Sequence, residues 1–449
     1  MRELLLQVAE RAISYHENLK DRRVSPSPEA IERLTQLGGP LPEKPTDASE
    51  VAALLDEFGS PATMATAGGR FFGFVTGGAL PATLAANWLA GTWDQNGFSY
   101  TSSPLASIIE EIALRWLIEI LELPSECGGA FVTGATMANF TGLAAARHAV
   151  LERAGWDVES DGLFAAPPIQ VIVGAEAHPT LFKALGLLGL GRNRVTTVPV
   201  DDEGRMRADL LPAITGPAIV CAQSGNVNTG AFDPVGEICA RAHDAQAWVH
   251  VDGAFGLWAS VSPSHARLRG GVEAADSWAT DAHKWLNVPY DSGLTFVRYP
   301  QALQSAMSIS AAYLPQGERR EPFQFTPEAS RRARGIEVWA ALRSLGREGI
   351  ADLIERHCRF AARFAAGLTT AGYRVLNDVV LNQVLVSFGD AEKTRRVIAE
   401  IQSDGVCWCG GTVWQGEAAM RISVSSWATT EADVERSLST MLRIAGEIA

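Results

Sequence analysis

Two short segments of the sequence place a carboxylate and an amine where they could act together. Residues 248–255, WVHVDGAF, form an apolar strand that ends in Asp252, and residues 277–285, SWATDAHKW, form a second strand followed by Lys284. Ligands bind at the carboxyl ends of strands in a parallel sheet, where both groups would lie. A lysine that condenses with an aldehyde and a carboxylate that pairs with a pyridinium nitrogen are the two groups that pyridoxal 5'-phosphate (PLP) requires.

Each of these residues alone has an ordinary structural explanation. An aspartate after a strand is commonly a turn or helix cap, and a lysine at such a position is commonly solvated. The functional interpretation depends on finding both, 32 residues apart, together with companions elsewhere in the chain.

One companion is a small-residue turn at the start of a helix. Residues 131–139, FVTGATMAN, predict a strand that runs into Gly134, Ala135 and Thr136 at a helix N-terminus. Small residues there let backbone N–H groups approach a phosphate, and the helix end adds a favourable partial positive charge. The same residues also begin ordinary helices, so this motif is weak by itself.

Two further companions follow predicted strands. His178 comes after the strand at 171–173 and could stack on a cofactor ring, although a lone histidine there is more often a satisfied turn residue. The polar loop at 222–233 follows another buried strand and offers several side chains to a cofactor or substrate. The sequence does not choose among them.

The elements that must position these residues alternate between strand and helix. Short β-branched runs and helical stretches follow one another from about residue 128 to 300, which predicts a mostly parallel sheet with helices on both faces. Strands are predicted at 171–173, 194–198, 218–222, 248–252, 277–280 and 294–298. Helices are predicted at 138–154 and 235–242.

The predicted pattern of helices and strands changes after about residue 326. Long helical stretches at 330–370 precede strands and helices of a smaller α+β domain. These are strands at 380–388, 406–414 and 420–424, a helix at 394–402 and a last helix from Thr430. We predict an α/β protein with a helical extension at 1–60, a large domain at 61–325 and a small domain at 326–449.

Composition excludes several classes of partner. The 449 residues include 38 basic and 51 acidic side chains, a net charge of −13, without a Lys/Arg-rich run. Nucleic acid and anionic membranes are therefore poor candidates.

The six cysteines lack the spacing of a metal site and predict a reducing, cytoplasmic environment, so no metal is expected. Cys407 and Cys409 would share one face of a strand, where packing is favoured over a metal or redox pair.

Two apolar segments need separate interpretation. Residues 71–93 run 23 positions without a charge, but glycines and a proline favour buried soluble structure over a membrane span. The first 17 residues carry Glu3 and Glu10 within their apolar stretch, which predicts an amphipathic helix rather than a signal peptide.

Together these motifs resemble the group II PLP-dependent amino-acid decarboxylases, relatives of the aromatic-L-amino-acid and glutamate decarboxylases. The resemblance extends from about Phe71 into the C-terminal domain and implies the fold type I PLP-dependent transferase architecture. The motifs that carry it are Phe71-Phe72, Gly97-Phe98-Ser99, Thr133 to Ala138, Ala177-His178, Ala231-Phe232-Asp233, His250-Val-Asp252 and His283-Lys-Trp285.

The resemblance assigns roles to individual residues. It implies that Lys284 forms the covalent link to PLP, that Asp252 pairs with the pyridinium nitrogen and that His178 stacks on the ring. Further cofactor contacts implied by it are Gly134, Ala135, Thr136, Ala254 and His283. Tyr313 falls where the aromatic-type members carry a tyrosine on a mobile loop that returns a proton to the substrate. Without the resemblance, Tyr313 is a loop aromatic.

Departures from the family pattern leave the substrate open. Asp281 stands where relatives usually place an asparagine near the phosphate, which a carboxylate would repel unless it faces away. Phe74 replaces the substrate-reading glutamine of glutamate decarboxylases, and Asn96, near Phe98, replaces an apolar residue of the aromatic-specific enzymes. Arg421 lies where aminotransferases of this fold bind a carboxylate, and a structural ion pair is an equal alternative for it.

The expected function is decarboxylation of an L-amino acid to its amine. The resemblance also implies a homodimer with residues 94–104 near the partner's cofactor. Close alternatives are an aldehyde synthase or a carbon–carbon lyase on the same scaffold. A more distant alternative is a catalytically silent PLP-binding protein that acts through interactions.

Overall fold

The structure is a computed structural model that describes residues 1–310 and 319–448. Its α-helices are α1 (Arg2–Asn18), α2 (Pro28–Arg33), α3 (Ala48–Leu54), α4 (Ser60–Ala62), α5 (Pro81–Trp93), α6 (Pro104–Ile120), α7 (Ala135–Arg153), α8 (Val158–Asp161), α9 (Pro179–Leu187), α10 (Val235–Asp244), α11 (Pro300–Met307), α12 (Gly335–Thr370), α13 (Ala391–Asp404) and α14 (Glu431–Glu447). Its strands are β1 (Gly128–Val132), β2 (Gln170–Gly174), β3 (Thr196–Val198), β4 (Ala218–Gln223), β5 (Trp248–Asp252), β6 (Ser277–Asp281), β7 (Gly293–Val297), β8 (Arg374–Val375), β9 (Gln383–Ser387), β10 (Gly410–Trp414) and β11 (Glu417–Ser423).

A seven-stranded sheet in the order β1-β7-β6-β5-β4-β2-β3 carries the predicted site. Strands β3, β2, β4, β5 and β6 pair in parallel, whereas β7 is antiparallel to both β6 and β1. The mostly parallel sheet predicted from the alternation is therefore confirmed, and each of the six strands predicted between residues 128 and 300 lies within two residues of its observed bounds. In the register of the sheet, Asp252 lies opposite Gln223 on one side and Ala279 on the other.

The central strands are buried from end to end, as a sheet covered on both faces requires. Every residue of β5, β6 and β7 is buried. The apolar side chains of β2 and β4 join those of α7 and α9 in one core cluster. The short β-branched runs of the sequence therefore form central strands that are buried along their whole length.

Helix α7 lies close to the sheet because small residues line it. Alanines recur through it, and Gly142 faces β5, where a Cβ atom would come within 2.9 Å of the His250 ring. A glycine inside a helix costs about 1 kcal/mol relative to alanine. The close approach of the imidazole explains why that cost is tolerated here.

By internal contacts the chain divides into two compact units. The larger holds residues 79–361 and 377–383, and the smaller holds 1–78, 362–376 and 384–449. The domain limits drawn from the sequence at 60 and 325 remain a proposal beside this division. Helix α12 begins at Gly335, slightly later than predicted, and is interrupted at Gly346, whose φ is 59°.

The smaller unit is built on a four-stranded sheet in the order β10-β11-β9-β8. Strands β10 and β11 form an antiparallel pair, and β8 is antiparallel to β9. Helix α14 begins with a capping box. The Thr430 side chain accepts the Asp433 backbone N–H, and the Asp433 side chain accepts the Thr430 backbone N–H. Cys407 and Cys409 are fully buried free thiols, in keeping with the packing interpretation.

The uncharged segment 71–93 differs in part from expectation. Its first half is mostly buried, as predicted, but its second half is α5, in which Thr83 is the one buried residue. The prediction that the whole segment is buried is therefore wrong for this single chain. Trp88, Leu89 and Trp93 are all more than two fifths exposed. Across the described ranges, no helix combines the length and the apolar character that crossing a bilayer needs.

Candidate active site

A cavity of about 310 Å³ lies at the carboxyl ends of β5 and β6, beside the start of α7. Strand polarity explains the place, because the parallel strands β4, β5 and β6 all end at this edge. All eight residues predicted to contact the cofactor line it: Gly134, Ala135, Thr136, His178, Asp252, Ala254, His283 and Lys284.

Asp252 ends β5 with both carboxylate oxygens engaged. Its Oδ2 accepts a hydrogen bond from the Asn139 side-chain amide at 3.0 Å, and its Oδ1 accepts one from the Ala254 backbone N–H at 3.2 Å. The side chain is almost entirely buried but faces the cavity. Two donors from different elements therefore fix the orientation of this carboxylate.

Lys284 follows β6 and forms an ion pair within the cavity wall. Its Nζ lies 2.9 Å from Asp281 Oδ2, and the lysine side chain keeps 21% exposure against 2% for the aspartate. Lys284 thus presents an amine at the cavity surface, held by a carboxylate three residues earlier.

Asp281 faces the cavity, which is the arrangement that the sequence analysis regarded as unfavourable for a phosphate. Its Oδ1 accepts the backbone N–H of Ala135, the first residue of α7, at 2.6 Å. The carboxylate therefore lies at the positive end of the helix dipole, where an anion is stabilised. An anion supplied by the chain already occupies part of the predicted phosphate cradle.

His283 contacts the same aspartate from the other side. The Ser292 backbone N–H donates to Nδ1 at 3.1 Å, and Nε2 lies 3.6 Å from Asp281 Oδ1. Burial lowers the pKa of His283, and the attraction of Asp281 opposes that effect. The bond from Ser292 assigns the Nδ1 lone pair as an acceptor, so the neutral ring carries its proton on Nε2.

His178 has a structural task as well as a place in the cavity wall. It is the N-cap of α9, and its Nδ1 accepts the Thr180 backbone N–H at 3.3 Å and lies 2.7 Å from the Thr180 hydroxyl. The turn role and the cofactor role weighed in the sequence analysis are therefore compatible. The contacts with Thr180 fix the Nδ1 side of the imidazole, and His178 also lines the cavity.

Glycines keep the start of α7 close to the sheet edge. A Cβ atom at Gly293 on β7 would lie 2.4 Å from the Gly134 Cα. That distance is too short for any side chain, so Gly293 is a requirement for the helix N-terminus to reach the cavity. The sequence pattern does not single out Gly293, because a glycine in a strand has no functional group of its own.

Other lining residues were also missed or left unchosen. From the loop at 222–233, Gln223, Gly225 and Val227 line the cavity, whereas Asn226 builds the loop by accepting the Asn228 backbone N–H. Asn139 does not belong to the described lining but contacts Asp252, and in the sequence it is only the last residue of the 131–139 motif. Its position one helical turn beyond Ala135 was the signal that its side chain could face the same edge.

Two of the predicted substrate residues have structural partners. Asn96 receives the Arg331 backbone N–H on Oδ1 at 3.0 Å and donates to the Ser330 hydroxyl at 3.2 Å. Phe98 stacks on Phe323 with ring centroids 4.7 Å apart. Neither belongs to the described lining of the cavity that holds Lys284. Their assignment to the substrate remains a prediction.

The other predicted substrate residues belong to the smaller unit. Phe74 is 64% exposed, has a φ of 55° and lies 5.2 Å from the Trp408 ring. Arg421 lies on β11 and is half-buried, and this burial lowers its pKa. Tyr313 lies outside the described residues, and so does Leu314 beside it.

A wider cavity of about 430 Å³ shares none of these lining residues. Its arginines are largely paired within it, Arg205 with Asp201 and Arg207 with Asp209, each at 2.7 Å. Its described lining includes no lysine. The chemistry predicted from the sequence therefore belongs to the smaller cavity.

The groups around the smaller cavity fit PLP in chemical kind. Lys284 offers an amine for the aldehyde, Asp252 an anion for the pyridinium nitrogen, and the α7 N-terminus backbone donors for the phosphate. The one discordant feature is Asp281, which takes the Ala135 N–H and brings negative charge to the phosphate end.

Comparison with known proteins agrees with this fit. Residues 45–388, more than half of the chain, match the family described as "Pyridoxal-dependent decarboxylase conserved domain". Tryptophan decarboxylase 1 of Oryza sativa subsp. japonica is 29% identical over 80% of this chain and 76% of its own length. L-2,4-diaminobutyrate decarboxylase of Rhizobium meliloti (strain 1021) is 29% identical over 91% of this chain and 84% of its own.

A solved structure shares the fold. The crystal structure of Oryza sativa TDC with PLP and tryptamine superposes with a TM-score of 0.91 at 23% identity, covering 99% of this chain and 97% of that one. The names of the two curated relatives indicate very different substrate side chains, so similarity at this level does not select one for the present chain.

The position of Asp281 generates a prediction about phosphate binding. Asp281→Asn keeps an oxygen for the Ala135 N–H and removes the negative charge, so PLP should bind about tenfold more tightly, equivalent to about 1.4 kcal/mol. Fluorescence titration of the cofactor-free protein measures this dissociation constant. Pyridoxal, which lacks the phosphate, is the matched control ligand and should not gain affinity. Weaker PLP binding in the variant would show that the ion pair with Lys284 matters more than phosphate repulsion.

Proposed function

This chain belongs to the pyridoxal-dependent decarboxylase family, and we propose that it converts an L-amino acid to the corresponding amine and CO2. It is a PLP-dependent carboxy-lyase with PLP as its cofactor. The observation that carries the finer proposal is the cavity that brings Lys284, Asp252 and His178 together at one sheet edge.

When bound, PLP supplies an aldehyde that captures amines and a ring that withdraws electrons from the α-carbon of a substrate. The chain's own residues would do the rest. Lys284 supplies the anchoring amine, and Asp252 holds a proton at the ring nitrogen through its oriented carboxylate. His178, fixed by its bonds to Thr180, supplies the planar group that keeps the ring in place.

The family resemblance implies Tyr313 as the proton donor that completes the reaction. Decarboxylation leaves negative charge at the α-carbon, and a proton delivered there gives the amine. If that proton is slow to arrive, dioxygen competes and the product is an aldehyde. This branch separates the decarboxylase from the aldehyde synthase that stands as its close alternative.

We also propose that the protein is a homodimer. Two helices of the larger unit expose large apolar side chains: Trp88, Leu89 and Trp93 on α5, and Leu105 and Ile108 on α6. Monomeric proteins rarely expose so many large apolar groups together, and such surfaces commonly mark protein interfaces. A second copy of the chain is the occupant that covers them in this proposal.

A cytoplasmic location is part of the same proposal. All six cysteines are unpaired and buried, which supports a reducing compartment because disulfides form mainly in oxidising ones. Fractionation of cells that express the protein tests this location.

Lys284→Ala should abolish the covalent attachment of PLP, because it removes the one lysine amine in the described cavity lining. Borohydride reduction followed by mass spectrometry of tryptic peptides measures the attachment. Lys183→Ala, which changes an exposed lysine on α9, is the matched control and should keep the reduced adduct. An adduct that persists in Lys284→Ala would place the anchor elsewhere.

The reaction itself is tested by products. The wild-type protein, screened against aromatic amino acids, 2,4-diaminobutyrate and glutamate, should release an amine and CO2. Tyr313→Phe removes one hydroxyl at nearly constant volume, so amine should fall while aldehyde, ammonia and oxygen consumption rise. The amine-to-aldehyde ratio in air and under nitrogen measures the effect. An unchanged ratio would remove Tyr313 from the mechanism, and aldehyde from the wild type would favour the synthase.

Sedimentation equilibrium tests the dimer. The chain has a mass of 48.0 kDa, and we expect twice that value. Replacement of exposed Trp93 with Glu should shift the equilibrium towards single chains, since a charge would have to be buried at the interface. Exposed Phe164, outside these helices, gives the matched control Phe164→Glu, which should stay dimeric. A wild-type mass of one chain would contradict the proposal.

A further inference from the structure

A chain of buried hydrogen bonds runs behind Asp252, away from the cavity. Trp248 Nε1 donates to Ser277 Oγ at 2.8 Å, and Ser277 Oγ lies 2.8 Å from His250 Nδ1. His250 Nε2 lies 2.9 Å from Asn139 Oδ1, and Asn139 Nδ2 donates to Asp252 Oδ2 at 3.0 Å. The chain therefore links strands β5 and β6 with helix α7.

The two ends of this chain fix the direction of every bond in it. An indole N–H can only donate, and the ionised carboxylate of Asp252 can only accept. Asn139 must then turn its amide nitrogen to the carboxylate and its oxygen to His250. His250 must carry its proton on Nε2 and accept the Ser277 hydroxyl proton on Nδ1. All donors consequently point towards Asp252.

Burial makes this direction costly to reverse. Trp248, Ser277, His250 and Asn139 have no exposed surface, so water cannot replace a missing partner. Burial also lowers the pKa of His250 to about 3, which keeps the ring neutral at ordinary pH. Hydrogen bonds aligned in one direction polarise one another, which strengthens the whole series of bonds from Trp248 to Asp252.

Helix α7 leaves room for the imidazole of His250 in this hydrogen-bond network. A Cβ atom at Gly142 would lie 2.9 Å from His250 Cε1 and 3.1 Å from its Nδ1. His250 therefore fits against α7 only because that position has no side chain.

We propose that Asn139 is a positioning residue that, with His250 and Ser277 behind it, holds the Asp252 carboxylate towards the ring nitrogen of the cofactor. This inference rests on the proposed role of Asp252. Asn139 supplies one of the two donors that set the carboxylate plane, and the Ala254 N–H supplies the other. Without the amide, the carboxylate keeps a single constraint and can rotate away from the ring nitrogen.

Two substitutions test the proposal at different points of the chain. Asn139→Leu keeps the branched side-chain frame and replaces the amide nitrogen and oxygen with methyl groups, so it removes the donor to Asp252 and the acceptor for His250. Ser277→Ala removes a single oxygen on the far side of His250 and keeps the test possible if the first variant does not fold. Ser437→Ala is the matched control, since Ser437 is equally buried and its hydroxyl has no partner among the described residues. Thermal unfolding of each variant reports its effect on the fold.

The decisive measurement is nitrogen-15 NMR of bound PLP labelled at the ring nitrogen. We expect the wild type and Ser437→Ala to hold that nitrogen protonated, and Asn139→Leu and Ser277→Ala to lose part of the protonation. PLP affinity should fall by about tenfold in Asn139→Leu, the lower end of what outer contacts contribute at metal sites. A merely structural role would lower the unfolding temperature and leave the nitrogen signal unchanged, which would overturn the proposal.

Asp252→Ala separates the two levels of the argument. If Asp252 pairs with the ring nitrogen, this variant loses the protonated signal, and adding Asn139→Leu to it should change nothing further. A signal unchanged in Asp252→Ala would contradict the proposed function itself. A lost signal in Asp252→Ala with a normal signal in both Asn139→Leu and Ser277→Ala would overturn only the positioning role.

Discussion

The common direction of strands is the constraint on which the site depends. Because β3, β2, β4, β5 and β6 run parallel, the residues that end them meet at one edge although they are far apart in sequence. Regular secondary structure leaves its backbone groups unsatisfied at such ends, so polar side chains and a helix N-terminus can gather there. The reversed strand β7 closes this arrangement, and Gly293 on it lets the start of α7 come close.

Charge at this edge is compensated within the chain. Asp281 has Lys284 at 2.9 Å and the Ala135 N–H at 2.6 Å, and Asp252 has donors on both oxygens. A buried charge without such partners would be strongly unfavourable. The charged groups of this edge are therefore partnered by residues of the chain itself, and Asp281 is the one among them whose charge opposes the phosphate of the family cofactor.

The sequence predicted the residues that carry visible chemistry better than those that position them. Strand β5 was predicted at its observed bounds, and Asp252 and Lys284 meet in one cavity because strand ends converge. Asn139 and Gly293 were missed, since their roles arise only when helix and sheet approach one another. The orientation of Asp281 depends on a side-chain torsion, which no pattern of residue types determines. The exposure of α5 could not be read from hydropathy, because an apolar helix is covered equally well by its own chain or by another.

Gly142 has a consequence for attempts to engineer a sturdier protein. A glycine in the middle of a helix is an obvious candidate for replacement by alanine, which commonly raises stability by reducing the freedom of the unfolded chain. In α7 the added methyl group would press on the imidazole of His250 instead. A substitution chosen from helix propensity alone would thus disturb the buried hydrogen bonds of His250 on strand β5. Designs intended to raise the thermal stability should therefore keep Gly142.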